Sequence, residues 1–533
     1  MGRGWIVAFR AHPSLAKAMG MGSLSLDGSD VSLALRFDEG IPAGLETCAA
    51  ITAMRRGRFV TRRIAYRCFD TADFALARAG IVLLVERIGR RFIQSVTAPS
   101  GERRDAVAGF ALDAMALDAG AAAPWREGVL ANAAAPICAI SLRRRRCRLD
   151  AGGVTVDFAL DAGRIRVPGR SLPVAEARLT LGAAQGSPGT LFEVAQRIFT
   201  DHPFSLAGVN PVARGVAMAR AAAPATAGFA RVELTPSMTA DAAMRRLLWQ
   251  CQAHILANHE AAMDGRDPEG VHQLRVGLRR LRSGLRLLRP VMPTTPLQDL
   301  TDEAGAVAAS CGVARAFDVL LDETLPLIES ACGARAEFGA LRMIATARRA
   351  EAYVGVCETL GAARYVAFQL ALGIWIGTIA WPDAVPTLER FAPVALAAAH
   401  RRVLRRGRHF RALEPDALHR LRIAAKVLRY TAEFFRPLIG HRGTAKPYFK
   451  RLSRLQARLG AYNDMVTTEG LLARMGEHDA AGADRAIGLV IGWEARGRIE
   501  TAKQRHDAWR AFRKADPPWP RHLPPPPTAL TAG

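Results

Sequence analysis

Between Val271 and Pro290 the chain reads VHQLRVGLRRLRSGLRLLRP, one histidine and six arginines in twenty residues with no acid among them. On a helix each residue advances about 100°, so His272, Arg275, Arg279, Arg282 and Arg286 fall within a sector of roughly 80°. Leu274, Leu278, Leu281, Leu285 and Leu288 make an adjoining apolar seam, the natural core side. Arg280 lies off the basic stripe and Arg289 at its edge. Like charges one turn apart destabilise an isolated helix by a few tenths of a kcal/mol per pair. An external anion would remove that penalty. Arginine suits phosphate, because its planar fork donates paired hydrogen bonds and stays charged at any working pH.

The pattern recurs. EPDALHRLRIAAKVLRYTAEFFRPLIG, from Glu414 to Gly440, carries His419, Arg422, Lys426 and Arg429 at a constant offset of 147 residues from His272, Arg275, Arg279 and Arg282. Tyr430 adds a hydroxyl donor beside this second stripe, and Glu433 replaces the last arginine. An offset that holds over four basic positions and the leucines between them is an internal repeat. Downstream stretches also correspond: Gly312, Arg315, Ala316 and Asp318 after the first helix, Gly460, Asn463 and Asp464 after the second. Asn463 and Asp464 are expected to brace the helix junction. The two histidines either protonate beside an anion, whose charge raises an imidazole pKa, or cap and orient their helices. Metal ligation is disfavoured, since the surrounding residues are cations and no short ligand spacing exists.

These residues resemble the CHAD family, the conserved histidine α-helical domain, from about residue 240 to about residue 511. The resemblance implies an all-helical domain of two pseudo-symmetric bundles that binds inorganic polyphosphate through a basic groove. On that basis the polyphosphate contacts are His272, Arg275, Arg279, Arg282, Arg286, His419, Arg422, Lys426, Arg429 and Tyr430, with no catalytic residue and no metal. One departure is Ala316, which stands where the family has an aspartate.

A net charge of +24 over 533 residues favours polyanionic partners of some kind. Eight scattered cysteines without a CxxC pair read as reduced core residues of a cytoplasmic protein. The N-terminus lacks the apolar run of a signal peptide. Val366–Trp381, the most apolar window, is short for a bilayer and reads as a buried helix, so no membrane insertion is expected.

Residues 1–215 have a different texture. VSLALRF, RFVTRRIAYRCF, GIVLLVER, RFIQSVTA, ICAISLRRRRCRL, GVTVDFALDAG and AEARLTLG alternate between turn signals, predicting an antiparallel β-barrel. A serine and a proline open a helix over 187–199. Residues 216–240 read as a linker, 241–513 as helical, and the proline-rich 514–533 as a disordered tail. The fold class is therefore α+β multidomain, a barrel followed by an all-α domain.

The segment around FDTADFALARAG, with DFALDAGRIRVPGRSLPVAEARLTL and NPVARG, resembles the CYTH family of triphosphate tunnel metalloenzymes. That family needs carboxylates to hold divalent metal and cations to hold triphosphate. Here Ser32, Ala34 and Arg36 occupy the first metal-binding strand, and Leu84–Arg87 keeps one arginine of a pair. Thr97 replaces a lysine, Glu176 alone survives among Arg178 and Thr180, and Asn210-Pro211 replaces a serine-lysine pair. Asp157, Asp161 and Glu176 are read as solvated or salt-bridged. Arg143–Arg146 with Arg148 are either a local anion site or a basic surface.

Three functions follow. The preferred one is non-enzymatic polyphosphate binding without a cofactor, with association with polyphosphate granules as a further expectation. The second is an Mg²⁺- or Mn²⁺-dependent triphosphatase, which the missing carboxylates oppose. The third is nucleic-acid binding, opposed by the lack of aromatics interleaved with the first stripe.

Overall fold

The computed structural model describes residues 24–25, 30–98, 101–112, 134–182, 185–206, 210–292, 296–333, 338–381, 385–439, 445–479 and 482–520. The chain divides into two compact units. One gathers the residues up to 230 with 249–278 and 357–378; the other holds 231–248, 279–356 and the residues from 379 on.

The first unit is built on a ten-stranded antiparallel sheet. Its strands are β1 (Leu24–Ser25), β2 (Asp30–Arg36), β3 (Arg55–Asp70), β4 (Val82–Ile88), β5 (Arg91–Ala98), β6 (Gly101–Val107), β7 (Ala135–Ala151), β8 (Val154–Val167), β9 (Arg170–Gly182) and β10 (Ser205–Leu206). Seven of them carry the alternating runs quoted above. The eighth long strand, β6, reads GERRDAV and has no apolar alternation to betray it. The strand order runs β1-β2-β9-β8-β7-β3-β4-β5-β6, with β10 added to β2. Among the described residues the sheet is therefore open, which corrects the expected barrel: β6 and β1 end the path without pairing to each other. Gly152 and Gly153, both at positive φ, make the two-residue turn that joins β7 to β8.

Burial along β7 changes phase. Cys138, Ile140 and Leu142 are buried in its first half, Cys147 and Leu149 in its second. Successive side chains alternate between faces, so the core moves from one face of the sheet to the other. The first face is covered by helix α2 (Pro211–Ala219), whose Val216 joins the Cys138–Ile140–Leu142 cluster. The other packs against α1 (Gly189–Asp201) where it lies over β2 and β9. A β-carbon at Gly189 would come 2.8 Å from the Cα of Gly377, and one at Gly373 would meet the Phe192 ring at 2.3 Å. These glycines let the helix Ala363–Thr378 lie directly on α1, so the most apolar window is a buried helix. The first division between the units, after residue 230, falls inside the expected linker 216–240, while 249–278 and 357–378 return to the first unit. Within that linker Ala227 is buried, and its backbone N–H and C=O both pair with the Asn258 side chain.

The second unit is helical. The principal helices after the sheet are α3 (Ala240–Ala257), α4 (Glu269–Leu288), α5 (Pro296–Val319), α6 (Gly339–Gly361), α7 (Ala363–Thr378), α8 (Leu388–Arg406), α9 (Pro415–Phe434), α10 (Ala445–Asp479), α11 (Asp484–Glu500) and α12 (Ala502–Arg513); α7 lies in the first unit and the others wholly or partly in the second. All five leucines of the α4 seam are fully buried. Among the described residues one helical run, Pro296–Cys332, is long and apolar enough to cross a bilayer. Its apolar face, with Leu300, Ala304, Val307 and Cys311, is buried in the protein. Past α12, Trp519 is only 4% exposed and lies edge-on to Tyr448 and His400. The start of the proline-rich tail is thus packed rather than disordered, because its tryptophan finds an aromatic pocket; residues 521–533 lie outside the described ones. None of the eight cysteines is in a disulfide, and five are buried; Cys332 is exposed, against the expectation of a core residue.

Candidate functional site

The two basic helices start alike. Pro415 opens α9, and Pro268 accepts a hydrogen bond from the His272 backbone at the first turn of α4. On α4, His272, Arg275, Arg279, Arg282 and Arg286 are all half-buried, with their stems against the leucine face. His272 and Arg275 belong to the first unit and the other three to the second.

In the second unit the cations of the two repeats meet. Burial first, and the Arg279 charge after it, disfavour the charged form of Arg422 on α9, and Arg279 bears on Lys426 as well. Burial, then the Arg422 and Arg279 charges, pushes the Lys426 ammonium down to about 7. Arg286 is pushed down to about 10, first by burial and then by Arg282, Arg402 and Arg289. Arg282 lies along α5, where a β-carbon on Gly305 would come 3.4 Å from its guanidinium. Among the described residues Arg282, Arg286 and Lys426 have no acid in salt-bridge range.

Acids do reach the α9 end of the cluster. Asp464 lies 3.6 Å from Arg422, and Glu433 lies 3.3 Å from Arg429 while also taking Arg280 at 2.7 Å. Among the described residues the stripe is therefore partly compensated on α9, while Arg282 and Arg286 of α4 meet no acid in salt-bridge range. Tyr430 is 2% exposed, its ring flanked by the Arg280 and Arg429 guanidinium groups at 5.3 and 5.1 Å. Its place is support for those arginines; burial takes it out of the position of a ligand-facing hydroxyl.

His419 is exposed on the first turn of α9, and its Nδ1–H donates to the Asn463 side-chain oxygen. The Asn463 amide is itself oriented by a donation to Thr467 Oγ1 at 3.2 Å. That pairing fixes the tautomer and leaves Nε2 facing outward. Asn463 and Asp464 brace the basic helix as expected. The first repeat uses its aspartate differently. Asp318 is fully buried, accepts from Arg349 Nε at 2.7 Å and from the Tyr353 hydroxyl at 3.1 Å, and braces α5 on α6.

One contributor was missed in the sequence. Arg402 of α8 faces Arg289 and Arg286, and its own charged form is disfavoured by burial and by Arg406, Arg405 and Arg289. The run RRVLRR was the available signal, but helical periodicity alone does not say which neighbour a face meets.

In the first unit the carboxylates of β8 and β9 are neutralised internally. Glu176, 3% exposed, lies between Arg214 and Arg36, and Arg36 also pairs with Glu260. Asp161 is held by Arg144 in two parallel hydrogen bonds of 2.7 Å, and Asp157 by Arg146 at 3.2 Å. Each carboxylate expected to be solvated or salt-bridged is engaged by an arginine. Among the described residues no three His, Cys, Asp or Glu side chains converge as a metal would require. A divalent cation needs several converging oxygens, and these oxygens are turned to guanidinium groups, so this donor set does not fit one.

Residues 246–473 match the CHAD domain family. Two curated relatives, Uncharacterized protein Rv2226 of Mycobacterium tuberculosis H37Rv and Uncharacterized protein MT2285 of strain CDC 1551, are each 29% identical over 331 residues. The match covers 58% of this chain and 61% of each relative, so the chain spans about three fifths of their length. Among solved structures, the crystal structure of the CHAD domain from the plant Ricinus communis is 26% identical, with a TM-score of 0.49 over 55% of this chain and 98% of that one. PptA from Streptomyces chartreusis is 15% identical, with a TM-score of 0.41 over 52% of this chain and 99% of that one. Residues 246–473 are thus a CHAD domain, placed after an N-terminal antiparallel sheet domain whose fold is consistent with the CYTH type.

Proposed function

We propose that this protein binds inorganic polyphosphate, without hydrolysing it, along the basic stripe of its CHAD domain. The observation that carries this reading is the cluster of Arg282, Arg286 and Lys426, with Arg279 and Arg422 beside it: among the described residues none of the first three has an acid in salt-bridge range. A folded protein that keeps half-buried like charges close together is poised to gain from an anion that relieves them. A row of cations at one- and two-turn spacings fits a linear polyanion better than a compact one. His272 and Arg275 continue the stripe on the first turns of α4, and His419 and Arg429 continue it on α9. The salt-bridged carboxylates of the sheet domain support a non-hydrolytic role, since they leave no set of ligands to recruit the metal. A polymer-binding protein of this kind is expected at polyphosphate granules.

Lys426 gives the reading a pH signature. A lysine depressed to about 7 is half neutral at that pH, and a bound polyanion restores its charge by proton uptake. Affinity should therefore fall as pH rises from about 6 to about 9. Titrations at constant ionic strength measure this directly. Lys426→Met should flatten that slope; an unchanged slope would take Lys426 out of the site.

A further inference from the structure

Six arginines of the sheet play no part in the site above. Arg62 and Arg63 of β3, Arg87 of β4, Arg90 in the turn, Arg91 of β5 and Arg143 of β7 line one cleft of about 1150 Å³. Strand register arranges three of them around a small floor. Arg63 lies directly opposite Arg143, the next same-face pair is Ala65 and Ser141, and Arg87 lies opposite Ala65 on the other side. Directly opposed residues on antiparallel strands project from the same face. Arg63, Arg143 and Arg87 therefore rim a floor of alanine and serine, and all three are exposed.

Two contrasts within β7 give the cluster meaning. Arg144, one position on, projects from the opposite face and is bound twice by Asp161. Arg143 has no such partner, and none of the six cleft arginines has an ion pair among the described residues. Among the described residues Arg87 donates to the Gly89 carbonyl and lies over the Phe92 ring. Like charges directly opposed on paired strands are destabilising, and among the described residues no acid offsets them here. The second contrast is coverage. Further along the same face, Cys147 and Leu149 are buried, whereas Ser141 and Arg143 are left open.

We infer that this cleft is a second polyphosphate-binding site, on the face of the sheet opposite Asp161 and Glu176. Guanidinium forks on adjacent strands, about 4.8 Å apart, present paired donors at intervals a chain of phosphates can follow. The lining contains no aromatic ring on which a nucleobase would stack. The choice of ligand rests on the function proposed for the CHAD domain; the existence of an anion site does not.

Isothermal titration of the full chain with a short sodium polyphosphate of uniform length tests it. The wild type should take up two equivalents, and R63E/R143E one, with the remaining affinity unchanged. R282E/K426E should lose the other equivalent instead. If R63E/R143E keeps every equivalent that the wild type binds, the second site is disproved while the CHAD reading stands. If R282E/K426E keeps both, the CHAD reading falls and the sheet site survives. R63Q/R143Q, which removes charge without adding any, should lower the affinity of the same equivalent. Displacement of that equivalent by single-stranded DNA of matched charge would overturn the assignment of its ligand.

Discussion

R282E/K426E should weaken polyphosphate binding to the CHAD domain on the order of a thousand-fold at low salt, each charge-assisted contact contributing about 1.5–3 kcal/mol. The pair is chosen because the two cations come from the two repeats. Arg282 lies on α4 against Gly305, and Lys426 lies on α9 beside Arg422 and Arg279. Neither has an acid in salt-bridge range among the described residues, so reversal leaves no carboxylate newly orphaned. Reversal should also relieve existing repulsion, and the folded state should be at least as stable as the wild type to urea. Affinity and stability thus move in different directions, which separates loss of a site from loss of a fold. Retained affinity would mean that the repeated stripe is not where polyphosphate binds.

Glu176→Ala should destabilise the first unit by about 3–5 kcal/mol, the cost of leaving a buried pair with one partner. Glu176 is 3% exposed and faces Arg214 and Arg36. Burial holds its carboxyl above the usual range despite both arginines, and holds Arg214 below its own. Desolvation therefore outweighs the pairing, and removing either member exposes that imbalance. Urea unfolding followed in the sheet domain measures the loss. Tripolyphosphate hydrolysis with Mg²⁺ or Mn²⁺ should stay at background in both wild type and variant. A metal-dependent activity that disappears in Glu176→Ala at unchanged stability would instead make Glu176 a metal ligand and the domain an enzyme.

Much of this was readable in advance, and the reasons differ by element. The basic stripes were legible because a helix repeats every 3.6 residues and the leucine seam fixes which side is buried. Seven long strands were legible from alternation, and β6 was not, because GERRDAV alternates nothing. Closure of the sheet depends on pairing between strands far apart in sequence, and no local pattern reports it. Tyr430 illustrates the same limit on a smaller scale. Its angular position puts it beside the stripe, but the Arg280 and Arg429 side chains that cover its ring come from two helices. Glu433 was visible as a break in the repeat, but not as the acid shared by Arg280 and Arg429. Arg402 joins the cluster from a helix outside the repeat altogether.

The central claim is that two related helices hold cations for a phosphate polymer, and competition measures it most directly. Long-chain polyphosphate carrying a fluorescent end group is bound to the full chain at physiological ionic strength, then displaced by unlabelled polyphosphate or by single-stranded DNA of equal charge. Displacement by polyphosphate at far lower concentration than DNA, with both steepened by lowering the salt, is the expected result. Equal or better displacement by DNA would contradict it.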